Sequence, residues 1–164
     1  MKTRIISALA AIVLLAVVVY LGRTAIGLAV FVLALIAIYE FGKALERGSF
    51  RPVFSFGYIS CLPLLYLAIE DILPKMALME VAIGVFLLLT VLFCVVLFSD
   101  GKYSITDIAL TLFGVFYVVF LFSFVTLTRN MEKGHLYIWL IFIGAWATDT
   151  FAFFTGVSIG KTKI

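Results

Sequence analysis

The sequence predicts an all-α protein: a polytopic transmembrane bundle of about six helices, forming one domain over residues 1–164. Three observations carry that prediction. Apolar residues make up 65% of the chain, against roughly 45–50% in soluble domains. Mean hydropathy is +1.28, and 13% of residues are charged, too few to coat a soluble surface. The apolar residues also gather into six runs, each near the roughly 17–25 residues that a helix needs to cross hydrocarbon.

The first run is Ile5 to Leu21. Met1-Lys2-Thr3-Arg4 ahead of it has the look of a secretory leader. However, Val17-Val18-Val19-Tyr20 is not a small-residue cleavage site, so the run is read as a retained helix. The second run is Ala25 to Phe41, after a tight hairpin at Gly22-Arg23-Thr24. A basic loop from Gly42 to Pro52 leads to the third run, Val53 to Ile69, which Glu70-Asp71 and Pro74-Lys75 close. The fourth run, Ala77 to Phe98, ends at the turn signal Ser99-Asp100-Gly101-Lys102. Asp100 and Asp107 bound the loop before the fifth run, Ile108 to Leu127. A loop from Thr128 to His135 precedes the sixth, Leu136 to about Phe154. The runs are too long and too unbroken for the alternating strands of an outer-membrane barrel. In lipid the backbone must satisfy its own hydrogen bonds, which leaves helix.

Orientation follows from Lys and Arg. With the N-terminus inside, eight fall inside: Lys2, Arg4, Lys43, Arg47, Arg51, Lys102, Lys161 and Lys163. Four fall outside: Arg23, Lys75, Arg129 and Lys133. Both termini are therefore expected in the cytoplasm. The net charge of +3 is too small and dispersed for a nucleic-acid partner. Cys61 and Cys94 each sit in an apolar run, outside any CxxC or Cys/His cluster, and read as small buried hydrophobes.

Asp149 is the most informative residue, lying inside the sixth run. A mid-membrane carboxylate costs roughly 2.5–3.5 kcal/mol on insertion scales and usually faces a bundle interior or a wet cavity. The competing reading is that the helix stops early and leaves Asp149 in the interface. Ala145, Thr148, Ala152 and Gly156 share its helical face, and Gly156 with Gly160 continues a small-xxx-small pattern. Such a face serves ordinary helix packing, or opens room beside a carboxylate for a ligand or a cation such as Mg²⁺. One carboxylate does not make a two-ion site. Gly160-Lys161-Thr162 is no Walker A motif, because Thr155 stands where the first glycine belongs and no strand precedes it. Glu40 either faces the headgroups near Lys43 or joins Asp149 in a polar cluster. His135, the sole histidine, is read as an outer-side neighbour of Trp139 without a catalytic role.

The stretch from Asp149 to Ile164, DTFAFFTGVSIGKTKI, resembles a segment of the phosphatidate cytidylyltransferases, the CDP-diacylglycerol synthases. That family shows an Asp-Thr-x-Ala-Tyr-Phe-x-Gly-Arg-x-x-Gly-Lys pattern there. The opening Lys2-Thr3-Arg4-Ile5-Ile6-Ser7-Ala8-Leu9 is similar too, and Glu40-Phe41 matches less specifically. Phe153 departs from the family's Tyr, and Val157 from its frequent basic residue. The family's later Lys-Asp, His-Gly-Gly and Asp-Arg-x-Asp signature is not within these residues. The resemblance implies transfer of CMP from CTP to phosphatidic acid with Mg²⁺ assistance, at the cytoplasmic face of a bacterial inner membrane, and a homodimer. It implies Asp149 as a catalytic and metal-binding residue, and Thr150, Gly156, Gly160 and Lys161 as substrate-binding. It also implies that the chain is the N-terminal part of a longer enzyme, inactive alone, with the remaining metal ligands elsewhere. A transporter or channel fragment and a noncatalytic assembly subunit are the competing readings.

Overall fold

Gly22 sets the first hairpin, and its φ of 104° is a conformation that side-chain-bearing residues avoid. It joins α1, Lys2–Leu21, to α2, Arg23–Arg47. These elements come from a computed structural model, which describes residues 2–69 and 78–160. Glu70, Asp71, Pro74 and Lys75, read as closing the third run, lie outside the described residues, as do Lys161 and Lys163.

The expected basic loop from Gly42 to Pro52 is mostly helix. Lys43, Ala44, Leu45, Glu46 and Arg47 are strong helix formers, and Lys43 Nζ pairs with Glu46 at 2.8 Å. So α2 continues to Arg47, and the Gly48 N–H caps it by donating to the Leu45 carbonyl at 2.9 Å. The third run is broken into α3, Phe54–Ile59, and α4, Leu62–Ile69. Pro63 has no N–H to give to the preceding turn, and it sits where a helix tolerates that loss, in the first turn of α4. Next comes α5, Leu78–Phe98. A turn follows in which Asp100 and Gly101 take φ of 48° and 78°.

The fifth run begins earlier than its hydropathy suggests, because Ser104 caps a helix that starts at Ile105. That span consists of α6, Ile105–Gly114, a π-helical segment, Val115–Phe120, and α7, Leu121–Asn130. The final helix, α8, runs from Gly134 to Ile159, so the loop expected from Thr128 to His135 contracts to Met131–Lys133. Among the described residues there is no strand. Three helical stretches are long and apolar enough to cross a membrane: Arg23–Arg47, Ile105–Asn130 and Gly134–Ser158. Ala10–Leu21, Phe54–Ile69 and Phe86–Phe98 are shorter apolar helices. The protein is an all-α polytopic transmembrane bundle.

The centre of the bundle is α2, which touches α1, α3, α4, α6, the π-helical segment and α7. Its buried residues Ile26, Gly27, Val30, Ala34, Ile38 and Gly42 recur at three- and four-residue intervals, which makes one face. Leu64 and Ala68 of α4 meet that face, with Cys61, Val118 and Ile138 closing the core. Hydrocarbon gives apolar helices no reason to prefer each other over lipid, so close approach must hold them. Gly27 supplies it: a Cβ there would fall on Ala68 Cβ. The outer surface is apolar, with Tyr20 at 92%, Phe98 at 82% and Phe151 at 72% exposure, as a lipid-facing surface requires. Cys61 and Cys94 are both free thiols.

Candidate functional site

Asp149 lies ten residues before the end of α8, and the helix continues unbroken to Ile159. The expected alternative of an early helix end at Asp149 therefore does not hold. Its carboxylate is exposed and opens into a cleft of about 340 Å³ between α1 and α8. Ala11, Ile12, Trp146, Asp149 and Thr150 line it. Among the described residues Asp149 has no salt-bridge partner. The neighbouring Thr148 hydroxyl turns into its own helix, donating to the Gly144 carbonyl at 2.8 Å. That leaves Asp149 and Thr150 as the polar side chains facing the cleft.

The small residues of this face stay uncovered. Ala145, Thr148, Ala152 and Gly156 are exposed, and among the described residues nothing lies within 4 Å of where a Cβ on Gly144 or Gly156 would stand. Gly160 ends α8, its N–H donating to the Gly156 carbonyl at 3.0 Å. Of the sequence-derived site residues, Asp149, Thr150, Gly156 and Gly160 thus lie along the last three turns of one helix. Lys161 lies outside the described residues. Glu40 is exposed on α2 and does not join them. His135 sits at the opposite end of α8, in a groove with Trp139 and Arg129.

Among the described residues no group of three or more His, Cys, Asp or Glu side chains is placed to hold a metal ion. These residues therefore do not by themselves form a Mg²⁺ site; Asp149 offers a single carboxylate.

One carboxylate is buried instead. Asp107, 6% exposed, accepts from the Arg51 N–H at 2.7 Å and from both the N–H and the hydroxyl of Ser104 at 2.9 Å. Ser104 Oγ accepts in turn from the Asp107 N–H at 3.1 Å, completing a capping box. Thr111, one turn on, donates to the Asp107 carbonyl at 2.7 Å and accepts from the Val53 N–H at 3.0 Å. The loop after α2 is thereby clasped to the start of α6. Reading Asp107 as a loop boundary missed this, although Ser104-x-x-Asp107 ahead of an apolar run was the available signal. No sequence signal pointed to Ala11, Ile12 and Trp146 as cleft walls.

Fold and cleft together define an integral membrane helical bundle that presents an acidic, small-residue helix face beside its first helix. The chain belongs to the cytidylyltransferase family, whose model matches residues 2–164. It is 29% identical over 168 residues to a phosphatidate cytidylyltransferase of Staphylococcus haemolyticus, strain JCSC1435, a match covering 100% of this chain and 61% of that protein. It is 27% identical over 164 residues to a phosphatidate cytidylyltransferase of Staphylococcus epidermidis, strain RP62A, with the same coverage of 100% and 61%. The chain thus spans 61% of the length of the curated relatives it matches. No solved structure matches it.

Proposed function

We propose that this protein acts as a phosphatidate cytidylyltransferase, making CDP-diacylglycerol and pyrophosphate from CTP and phosphatidic acid for phospholipid biosynthesis. A phosphate oxygen of phosphatidic acid attacks the α-phosphorus of CTP. The bond from that phosphorus to the bridging oxygen of the β-phosphate breaks, and pyrophosphate leaves. The observation that carries the reading is the end of α8, where Asp149 and Thr150 open to a cleft and Gly156 leaves its face clear among the described residues. Family membership and the names of the similar staphylococcal proteins support the same chemistry.

In this reading Asp149 is the catalytic carboxylate, Thr150 donates to phosphate oxygens, and the glycines let a phosphorylated headgroup approach the backbone. Lys161 adds positive charge for the polyphosphate. The family resemblance adds Mg²⁺, to which Asp149 would contribute one ligand. The proposed orientation has both termini in the cytoplasm of a bacterial inner membrane, where CTP is dissolved, and the proposed assembly is a homodimer. With a single carboxylate in the described cleft, the 164 residues alone are expected to give no turnover.

Radiolabelled CTP and phosphatidic acid, incubated with the full-length protein in detergent–lipid micelles, test the assignment. Label is expected to pass into the lipid fraction, with Asp149→Asn lowering kcat/KM by about a hundredfold or more, as loss of one transition-state-stabilising group does. Label transfer that persists in Asp149→Asn would remove Asp149 from the reaction. Robust turnover by the 164 residues alone would overturn the expectation of inactivity.

A further inference from the structure

A second cleft between α1 and α8 lies at the other end of the two helices. It is the larger, about 790 Å³. Ile12, Ala16, Val17 and Leu21 of α1 and Leu136 and Trp139 of α8 give it apolar walls, while Arg129 and His135 stand at its mouth. Ile12 lines both clefts, so the gap between the helices runs from the Arg129 end toward Asp149. Along α8, His135 and Asp149 are about 21 Å apart at 1.5 Å per residue. The mouth is therefore well removed from the carboxylate, at the end of the bundle that holds Gly22 and the Met131–Lys133 turn.

Two features of this groove ask for an occupant. Arg129 Nε is buried and has no hydrogen-bond partner among the described residues. A buried donor without an acceptor costs roughly 1–3 kcal/mol, and more for a charged group. The walls below it are apolar over about 13 Å of α1, from Leu21 to Ile12 at 1.5 Å per residue, and among the described residues they stand open along one side. The missing partner is thus anionic at one end and hydrocarbon at the other. Arg129, with Lys133 and His135 close in sequence against the single carboxylate of Glu132, gives the mouth a cationic excess.

We infer that the α1–α8 groove is a binding site for an anionic glycerophospholipid of the leaflet at the Arg129 end. The phosphate accepts from the Arg129 guanidinium and the His135 ring, and one acyl chain lies along Ala16, Val17 and Ile12. This lipid is not the one that reacts. Its headgroup sits at the opposite end of α8 from Gly156 and Gly160, and the inference stands independently of the proposed reaction.

Trp139 lines the groove and reports its contents. Trp146→Phe leaves Trp139 as the only tryptophan among these residues. That variant is reconstituted into phosphatidylcholine vesicles containing a minor fraction of phosphatidylglycerol, with bromine on the acyl chains of one lipid or the other. Mole for mole, brominated phosphatidylglycerol is expected to quench Trp139 about threefold more strongly than brominated phosphatidylcholine, the ratio a partly exposed charge pair supplies. Arg129→Gln is expected to equalise the two lipids. Ala16→Phe, which fills the groove without touching a charge, is expected to lower quenching by brominated phosphatidylglycerol to the phosphatidylcholine level. Equal quenching by both lipids in the parent, or a preference surviving Arg129→Gln or Ala16→Phe, would overturn the site. A preference abolished by inorganic phosphate would assign the mouth to a soluble anion and overturn the lipid.

Discussion

The Asp107 carboxylate, from the start of α6, accepts the Arg51 backbone N–H at 2.7 Å and so ties that helix to the loop leaving α2. It also caps its own helix through Ser104. Asp107→Ala removes both functions at once. Loss of the cap costs about 1 kcal/mol, and the stranded Arg51 N–H roughly 1–3 kcal/mol more. A destabilisation of about 3 kcal/mol is expected. Asp107→Asn should fall between, since its amide oxygen still accepts from Arg51 but its nitrogen repels the Ser104 N–H. Unfolding midpoints in a detergent–denaturant titration, followed by far-ultraviolet circular dichroism, check the order Asp, Asn, Ala.

Helix packing gives the next prediction. Gly27 lets α2 rest directly on Ala68 of α4. A methyl group there collides with Ala68 Cβ and Cα, the latter being backbone that cannot swing aside. Gly27→Ala should therefore destabilise by roughly 1–3 kcal/mol, the usual range for overpacking. Gly84 on α5 is the control, because among the described residues nothing lies within 4 Å of a Cβ placed there. Gly84→Ala should gain up to about 1 kcal/mol from helix propensity alone. Opposite signs in the same unfolding assay are the expected result; equal effects would mean that α2 and α4 do not touch at Gly27.

How much of this was legible in advance depends on how local each feature is. The spans could be read because a bilayer imposes a length on every apolar run, and a run such as Ala25 to Phe41 announces itself without reference to its neighbours. The break near Pro63 is missed by reading Val53 to Ile69 as one run, although a proline carries its own local reason for interrupting a helix. The continuation of α2 through Lys43 to Arg47 was masked by charge, which reads as loop in a hydropathy profile even where helix propensity is high. The clasp between Asp107 and Arg51, and the meeting of Ile12 with Asp149 in one cleft, join residues far apart in sequence. No window along the chain contains both partners. The π-helical segment, Val115–Phe120, has no distinguishing composition either: it is as apolar as the helices it joins.

Two exposed acidic residues separate the proposed site from general surface charge. Asp149 faces the α1–α8 cleft, whereas Glu40 is exposed on α2, on a different helix from the rest of the site residues. Asp149→Asn and Glu40→Gln each remove one negative charge and should leave the unfolding midpoint within about 0.5 kcal/mol, as exposed substitutions do. Their effects on CTP-dependent lipid labelling should differ sharply, with Glu40→Gln keeping most of the parent rate while Asp149→Asn loses it. Equal losses would show that the assay responds to the charge of the protein surface and not to a particular carboxylate.

The glycine face of α8 allows stability and activity to be separated at one position. Gly156 is exposed, and a Cβ there would meet nothing within 4 Å among the described residues. Gly156→Ala and Gly156→Leu both replace the poorest ordinary helix former with good ones, so each should hold or raise the unfolding midpoint, by up to about 1 kcal/mol. If the space over Gly156 admits a phosphorylated headgroup, the small methyl of Ala narrows it and the branched side chain of Leu closes it. KM for phosphatidic acid should then rise in the order Gly, Ala, Leu while the fold is unharmed, a pattern a purely structural glycine cannot produce. Steady-state kinetics in mixed micelles, run beside the unfolding titration, give both readouts on the same preparations. Unchanged KM and kcat in Gly156→Leu would place the substrate elsewhere on the bundle.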